Sequence, residues 1–425
     1  MYNFTLQADI DKEIFLKFLH TSDWHLGARL GDYSRLSEQR EVLAEIREIA
    51  ESENVDFILL AGDIFDTFNP PNEAVELLYS ELKKMTAGGT RPVVAIAGNH
   101  DSPDRIESPD PLAAECGIFF AGYPDFQRNP KTLDCGITVS FPEAGVLTID
   151  KAGLPQIRLL LTPYANENRL RRFLAAEDRE RQISAILAEN WERLASEYCD
   201  DQGVNILAAH LFMAAGAEKA VEPDEERSIL HPGGLELIDA ALVPPQVQYT
   251  ALGHLHRPSA VRTGPSAVVY SGSPLAFGLS EEDQQKSVIV AELSPAAKAD
   301  VRRVPLKAGR RIRRKTFNSI TGAVNWLTEN KDCYVELLIE CEAYISAEDR
   351  RLLYDSHDGI TAVIPVRRGG SEDGTDGGSE ADMPDIGGSV ESLFRSFFEA
   401  QKGVAPDDDL MAIFREVAAY KGDEQ

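Results

Sequence analysis

Cysteine is scarce in this sequence, and none of the five cysteines belongs to a Cys-x-x-Cys pair. An odd, scattered set of thiols argues against a disulfide framework and favours reduced cysteines in a cytoplasmic protein. Long apolar runs are also lacking: no stretch approaches about 18 uncharged apolar residues, so no membrane span is expected. Residues 1–13 have neither a basic start nor an apolar run and therefore do not resemble a signal peptide.

Positive charge is limited as well, since the 425-residue chain has a formal net charge of −27. This value argues against a protein that binds nucleic acid through bulk positive charge. The charge is uneven, however: residues 371–425 carry 14 acidic and 4 basic side chains, whereas residues 301–317 carry 8 basic and no acidic ones. The net charge therefore does not decide which partner the protein binds.

Apolar strands alternate with helical spacing over about the first 300 residues, which predicts an α/β structure with helices on both faces of the sheet. The predicted strands are 15–19, 55–61, 92–97, 157–162, 204–209, 247–252, 267–271 and 287–293, and the predicted helices are 34–53, 73–86 and 176–198. A chain of this length is also expected to contain more than one domain.

The pattern changes after residue 296. A small α+β unit is predicted there, with strands near 301–306, 333–340 and 360–366 and a helix near 319–329. Residues 367–388 are rich in glycine, serine and acids, which predicts a flexible linker. Two amphipathic helices are predicted at 389–402 and 408–420. The predicted domains are therefore 1–296, 297–366, the linker 367–388 and the tail 389–425.

Five motifs rich in metal-ligating residues stand where predicted strands end. They are Asp23-Trp24-His25, Gly62-Asp63-Ile64-Phe65-Asp66, Gly98-Asn99-His100-Asp101, His210, and Gly253-His254-Leu255-His256. In open α/β sheets, ligands bind beyond the carboxyl ends of the strands. Each motif alone is a weak signal, but together they predict a metal site. Imidazole, carboxylate and amide ligands suit Mn, Fe or Zn, whereas a structural zinc site would use sulfur.

The order of these motifs resembles that of the calcineurin-like metallophosphoesterases. Longer segments resemble the SbcD family of bacterial nuclease subunits within that superfamily. These segments are LHTSDWHLG at 19–27, AGDIFD at 61–66, ALGHLHRP at 251–258 and YSGSP at 270–274. The resemblance covers residues 14–420. It implies a metallophosphoesterase sheet sandwich flanked by helices, followed by a small α+β capping domain and a C-terminal helical tail.

The resemblance also implies two divalent metal ions, with Mn²⁺ favoured. The first metal site would consist of Asp23, His25, Asp63 and His256, and the second metal site of Asp63, Asn99, His210 and His254. Asp63 would bridge the two, since one carboxylate can hold two cations about 3.5–4 Å apart. His100 would act on the leaving oxygen, and Asp101 is a candidate to orient it. Archaeal and eukaryotic relatives tend to have histidine in place of Asp66, which leaves the role of Asp66 open.

The function implied by the resemblance is that of the nuclease component of an SbcCD-type complex in DNA repair, recombination and replication. Such nucleases act in pairs, as exonucleases on double-stranded ends and endonucleases on hairpins or single strands, with an SbcC-type ATPase partner. One alternative is a calcineurin-like enzyme that acts on nucleotides or phosphoproteins. Protein phosphatases, however, tend to have Arg-Gly after the second motif, where this chain has Thr67-Phe68. Another alternative is a non-catalytic scaffold, but every ligand position is filled.

Further residues are candidates for contacts with macromolecules. The candidates for DNA phosphates, for which a solvated surface is an equal alternative, are Arg29, Arg35, Arg310, Arg311, Arg313 and Arg314. The apolar faces of the tail helices would bind the coiled-coil base of the SbcC-type partner, or would fold back on the small unit. These faces consist of Leu393, Phe394, Phe397, Phe398, Leu410, Ile413, Phe414 and Val417.

Four aromatic side chains have more ordinary interpretations. His20 is expected to anchor its loop, whereas His231 and His357 are expected to be solvated. Trp24 lies between two candidate ligands, where it would either touch substrate or shield the site.

Overall fold

The structure is a computed structural model of the chain. It describes residues 15–170, 179–216, 237–262, 264, 266–341 and 345–367, and in the tail 394–395, 398, 406, 410–411 and 414. The expectations for residues 1–13, His231, linker residues 368–388, Leu393, Phe397, Ile413 and Val417 lie outside the described residues. Within these ranges, no helix is long and apolar enough to cross a membrane.

Strands and helices are numbered along the chain. The strands are β1 Leu16–Thr21, β2 Arg29–Leu30, β3 Tyr33–Ser34, β4 Phe57–Ala61, β5 Val93–Ile96, β6 Ile118–Ala121, β7 Lys131–Thr132, β8 Thr138–Ser140, β9 Val146–Asp150, β10 Ile157–Thr162, β11 Val204–His210, β12 Met213–Ala214, β13 Ile238–Asp239, β14 Tyr249–Gly253, β15 Ser259–Arg262, β16 Ala267–Tyr270, β17 Ser287–Leu293, β18 Asp300–Pro305, β19 Arg311–Phe317, β20 Cys333–Cys341 and β21 Ile360–Arg367. The α-helices are α1 Leu36–Ser52, α2 Asn72–Met85, α3 Pro103–Glu107, α4 Asp110–Glu115, α5 Glu167–Leu170, α6 Arg179–Tyr198, α7 Ile320–Glu329 and α8 Ala347–Ser356.

Two large sheets form the main body. The first has the strand order β18-β17-β1-β4-β5-β6, and the second has the order β15-β16-β14-β11-β10-β9-β8-β7. Strands β1, β4, β5 and β6 run parallel to one another, as do β10, β11, β14 and β16. The predicted sheet sandwich flanked by helices is confirmed, because α1 and α2 cover the outer face of the first sheet and α6 that of the second.

The main core lies between the two sheets and is built from side chains of both. In this core the ring of Phe18 stacks on Phe57 at 4.9 Å and meets the edge of Tyr249 at 5.3 Å. Each buried aromatic side chain of this kind contributes about 1.5–3 kcal/mol of hydrophobic stabilisation. This packing fixes the position of β1 and β4 in the first sheet relative to β14 in the second.

Two of the ordinary interpretations concern buried residues of this body. His20 is fully buried, and its Nδ1 lies 2.9 Å from the hydroxyl of Tyr249 on the other sheet. Burial lowers the pKa of His20 to about 3, so the ring is neutral at pH 7, as suits a structural histidine. Trp24 is 1% exposed and donates Nε1–H to Thr21, so it packs in the core and offers no surface to a substrate.

The expectation that His357 is solvated is wrong. It is 3% exposed and follows the last turn of α8. Its Nε2 donates to the backbone oxygen of Asn330 at 2.9 Å, and its Nδ1 accepts from Gly359 N at 2.9 Å. The ring is buried because it joins the end of one helix to the turn that leads into the next strand.

The small α+β unit has a three-stranded parallel sheet in the order β19-β20-β21, with α7 and α8 packed together over it. The strand predicted at 301–306 does not belong to this unit, since β18 pairs antiparallel with β17 in the first large sheet. Strand β19 was not predicted, because the sequence RIRRKTF at 311–317 shows no apolar alternation. The basic residues 301–317 are therefore divided between the first large sheet, through β18, and the small sheet, through β19.

The small unit packs against α1 through a buried carboxylate. Glu38 is 6% exposed and accepts from Arg35 Nε at 2.5 Å and from the Tyr334 hydroxyl at 2.9 Å. The guanidinium of Arg35 also lies 5.0 Å from the Tyr334 ring centre. The prediction that Arg35 contacts DNA is wrong, because Arg35 is fully buried in this junction.

The other arginines of the predicted DNA surface lie at the surface, and most of them are paired. Arg310 lies 3.2 Å from Asp358, Arg313 2.5 Å from Asp283, and Arg314 2.5 Å from Glu336. Arg29 and Arg311 are exposed. The positive charge of residues 310–314 is therefore partly neutralised by carboxylates of neighbouring elements.

The C-terminal region, Gly369–Gln425, forms a unit separate from Met1–Arg368. In this unit the ring of Phe394 stacks on that of Phe414 at 4.1 Å, with an interplanar angle of 10°. Phe398 lies 5.9 Å from Phe394, and Met411 is 1% exposed. Phe394 and Phe414, one from each of the predicted apolar faces, are therefore in contact.

Candidate metal centre

The candidate ligands meet at one edge of the sandwich. They lie in the loops after β1, β4 and β5 of the first sheet and after β14 of the second, and His210 is the last residue of β11. Because the strands of each set run parallel, their carboxyl ends lie at the same edge. All five sequence motifs are therefore brought together, although 233 positions separate the first ligand, Asp23, from the last, His256.

Two glycines permit the close approach of these loops. A Cβ atom on Gly253 would lie 1.9 Å from the backbone oxygen of Ala61 on the other sheet. A Cβ atom on Gly98 would lie 2.1 Å from Oδ1 of Asp63. No side chain fits at either position, so glycine is required at Gly253, where the two sheets meet, and at Gly98, where the loops after β4 and β5 of the first sheet meet.

Four candidate ligands have a left-handed backbone: Asp23 (φ 54°), His25 (φ 44°), Asp63 (φ 47°) and His254 (φ 109°). Such conformations cost on the order of 1–3 kcal/mol each outside glycine and persist where the surroundings hold them. Here Asp23 N donates to Gly62 O at 2.9 Å, and His25 N donates to Asp63 O at 3.0 Å. These bonds join the loops after β1 and β4 and turn their side chains toward the same point.

Among the residues that the structure describes, three groups of side chains could each hold a metal ion. These groups are Asp23 with His25 and His256, Asp63 with His210 and His254, and His25 with Asp63 and His100. In the first group, Nε2 of His25 lies 3.1 Å from Nε2 of His256, so both ring nitrogens point at one position. The donor set of carboxylates and imidazoles fits divalent metals.

Asp63 belongs to the second group and also faces the first. Its Oδ2 is 3.7 Å from Nε2 of His25 and 3.4 Å from Nε2 of His210, while its Oδ1 accepts from His100 N at 2.8 Å. Burial alone would raise the pKa of Asp63, but the neighbouring imidazoles hold the pKa of this carboxyl well below its ordinary value. The residue is therefore an anion with one oxygen facing both groups, which is the arrangement that a bridging ligand needs.

Asn99 and His210 complete the second group. The Oδ1 of Asn99 lies 2.8 Å from Nε2 of His210. His210 donates Nδ1–H to the backbone oxygen of Ala61 at 2.9 Å, which turns Nε2 toward the centre. Asn99 is 1% exposed, and its short distance to His210 places its amide oxygen beside the imidazole nitrogen.

His100 is the most accessible of the candidate histidines, and it is oriented by Asp66. Its Nδ1 donates to the backbone oxygen of Asp66 at 2.8 Å. The carboxylate of Asp66 lies 3.5 Å from Nδ1 of His25. Asp66 therefore contacts two histidines of the centre, which addresses the role that the sequence left open.

The suggestion that Asp101 orients His100 is wrong. The Asp101 carboxylate is fully buried and accepts from the backbone amides of Ile64, Phe65 and Gly98 at 3.0, 2.8 and 2.8 Å. Burial, together with the charge of Asp63, raises the pKa of Asp101. Asp101 thus joins the loops after β4 and β5 and does not touch the reacting region.

Arg169 is a residue of the centre that no motif indicated. It is 6% exposed and donates to the backbone oxygens of Gly98 at 2.8 Å and Asp101 at 2.7 Å. These two carbonyls flank Asn99 and His100, so the guanidinium holds both ends of the loop that carries them. Arg169 lies in the short helix α5, far from the loop in sequence, and only the fold reveals the contact.

The geometry agrees with what the chain is similar to. The family model of calcineurin-like phosphoesterases matches residues 16–258. The chain is 34% identical over 412 residues to the SbcD component of the nuclease SbcCD from Bacillus subtilis, covering 95% of this chain and 98% of that protein. The chain belongs to the calcineurin-like phosphoesterase family, in its SbcD group. Membership in this family implies that divalent metal ions bind here, and the candidate groups fit them.

A second member of the SbcD group, from Rhodobacter capsulatus, is 35% identical over 298 residues, covering 68% of this chain and 69% of that protein. Among solved structures, a dimetal phosphatase from Danio rerio covers 67% of this chain and 98% of its own, at 12% identity and a TM-score of 0.33. The last similarity is too low to support an argument.

The contacts of Arg169 lead to a prediction. We expect Arg169→Met to lower the metal-dependent hydrolysis of a small phosphodiester by about 100-fold, because displacing a reacting group by about 1 Å costs that much. The control is Arg158→Met. Arg158 is also buried, but it lies on β10 and pairs with Asp200, away from the candidate ligands. Equal activity of the two variants, at similar thermal stability, would show that Arg169 has no special role in the centre.

Proposed function

We propose that this chain is the nuclease component of an SbcCD-type complex and hydrolyses DNA phosphodiester bonds with two divalent metal ions, preferably Mn²⁺. The observation that carries the proposal is the position of Asp63, whose Oδ2 faces an imidazole of each of two candidate metal groups. The relatives are named as nucleases, which supports a nucleic acid as the substrate. Double-stranded ends, hairpins and single strands are the proposed substrates, in repair, recombination and replication.

The proposed division of ligands is supported by the distances between the side chains. The first metal site consists of Asp23, His25, Asp63 and His256, and the second of Asp63, Asn99, His210 and His254. Two ions held by these residues would supply Lewis acidity and would activate a water molecule as the nucleophile. His100 is proposed to give a proton to the leaving oxygen, since its Nδ1 is held by Asp66 and the ring is partly accessible.

The proposed DNA contacts are restricted to side chains at the surface. Arg29 and Arg311 are exposed and can reach phosphates. Arg310, Arg313 and Arg314 would first have to leave their carboxylate partners. Exposed ion pairs are weak, at about 0–1 kcal/mol each, so a phosphate can replace the carboxylate.

The proposed partner is an SbcC-type ATPase, and the proposed docking element is the tail. The contact between Phe394 and Phe414 supports a tail that folds as a pair of helices, which would bind the coiled-coil base of the partner. A complex containing two copies of this chain is part of the proposal.

The bridging carboxylate provides the first test of the function. We expect Asp63→Asn to lower Mn²⁺-dependent cleavage of linear duplex DNA by about three orders of magnitude, or about 4 kcal/mol of transition-state stabilisation. The substitution removes the charge that both ions share, so bound Mn²⁺ should fall in parallel. The control is Asp56→Asn, which breaks an ion pair with Lys151 elsewhere in the fold. Full cleavage by Asp63→Asn would exclude the two-metal proposal.

His100 tests the division of roles, because its ring nitrogen also lies within reach of His25 and Asp63. We expect His100→Leu to lose about 100- to 10,000-fold in turnover, the usual contribution of proton transfer. It should still bind two Mn²⁺ ions per chain in a direct titration. Loss of one ion together with activity would instead identify His100 as a metal ligand.

The tail is tested by binding to the partner. A chain truncated after Gly370 should retain cleavage of a small phosphodiester but should no longer co-purify with the SbcC-type ATPase of the same organism. In the full-length chain, Phe394→Ala should weaken the complex, because it removes the stacked contact with Phe414. The control is Leu352→Ala, which removes an exposed apolar side chain from α8 of the small unit. Full recovery of the partner by the truncated chain would place the docking surface elsewhere.

A further inference from the structure

The ring of His256 is held from both sides. Its Nε2 lies 3.1 Å from Nε2 of His25, at the first metal site. Its Nδ1 lies 3.1 Å from Oε1 of Glu281, and both side chains are nearly buried. A carboxylate accepts a proton from Nδ1, which leaves the lone pair of the neutral ring on Nε2. The contact with Glu281 therefore selects the tautomer that can bind a metal ion.

Glu281 is itself fixed by a closed set of hydrogen bonds. Its Oε1 also accepts from Phe277 N at 3.1 Å, and its Oε2 accepts from Lys286 Nζ and from Ser273 Oγ at 3.4 Å. Lys286 Nζ additionally donates to the backbone oxygen of His256 at 3.1 Å. The same network thus holds both the ring and the backbone of His256.

The phenyl ring of Phe277 limits the remaining freedom of the two histidines. Its centre lies 5.1 Å from that of His25 and 5.7 Å from that of His256. Its backbone amide is bonded to Glu281, so the segment from Phe277 to Glu281 supports the ligands through one apolar and one polar contact. The ring of His256, packed against Phe277 and bonded to Glu281, can therefore rotate little.

His256 differs from His210 in what orients it. His210 donates its Nδ1–H to a backbone oxygen, that of Ala61, which a substitution does not remove. His256 depends on a side chain, and that side chain can be replaced. Carboxylates that hold a metal-ligating histidine fix its orientation and raise its basicity, and their loss typically costs about 10- to 100-fold in metal affinity.

We infer that Glu281 is a positioning residue for the first metal site, which it serves by fixing His256 with Nε2 directed at the ion. The inference rests on the proposed two-metal function. It makes a specific claim, because only one of the two sites should depend on Glu281. The competing account is that Glu281 is merely half of a buried ion pair with Lys286 and stabilises the fold.

The test measures Mn²⁺ binding to the full-length, chelator-treated protein by calorimetric titration. Wild type should bind two ions. Glu281→Ala should bind one ion with unchanged affinity and the other about 10- to 100-fold more weakly. The control is Glu81→Ala, since Glu81 is a buried carboxylate that pairs with Lys84 and touches no candidate ligand. This control should leave both affinities unchanged even where it lowers the melting temperature.

A second pair of variants removes the effect of an unpaired buried lysine. In the Lys286→Met background, Glu281→Gln keeps an acceptor for Nδ1–H of His256, whereas Glu281→Ala does not. Both variants should bind two ions. At one of the two sites, the Gln variant should bind Mn²⁺ about 10-fold or more tightly than the Ala variant. The nitrogen-15 signals of His256 in the metal-free protein should show Nδ1 protonated in the Gln variant and a tautomer mixture in the Ala variant.

Equal Mn²⁺ affinities in the Gln and Ala variants would overturn the inference and leave the ion-pair account. If the wild-type chain bound no Mn²⁺ at all, the proposed function itself would fail. If the wild type bound two ions and Glu281→Ala bound two with the same affinities, only the role of Glu281 would be rejected. The two failures are therefore distinguishable in one titration series.

Discussion

The close approach of two sheets at their carboxyl ends is the constraint on which the centre depends. Gly253 brings the end of β14 against the backbone of Ala61 on β4, at a distance that no side chain would permit. This contact places His254 and His256 from one sheet opposite Asp23 and Asp63 from the other. The left-handed conformations of these ligands are maintained by hydrogen bonds between the loops, such as that from Asp23 N to Gly62 O. The stability of the apolar core thus offsets the free-energy cost of the left-handed backbone conformations at the site.

The electrostatics of the centre differ from those of the chain as a whole. The carboxylate of Asp63, whose pKa is held well below its ordinary value, attracts cations. Two divalent ions would reverse the local charge where a phosphodiester has to bind. The net charge of −27 therefore says little about the centre. Outside the centre, Arg313 and Arg314 are paired with carboxylates, so the positive charge that they present to solvent is small.

The sequence predicted the candidate ligands because each lies in a short motif at the end of a strand, where chain direction and local spacing suffice. It could not predict Arg169 or Glu281, because each supports its neighbour through a contact made only when distant loops fold together. Arg35 illustrates the opposite error: its charge indicated the surface, yet Glu38 and Tyr334 compensate that charge inside a junction. The boundary of the small unit was misplaced at β18 because strand pairing with β17 leaves no local signal.

The most direct test of this account is anomalous diffraction from crystals of the full-length protein grown with Mn²⁺. Two manganese peaks should lie about 3.5–4 Å apart on either side of the Asp63 carboxylate. One should be next to His25 and His256, and the other next to His210 and His254. A single fully occupied peak, or two peaks of which neither contacts Asp63, would contradict the central claim that one carboxylate holds both ions.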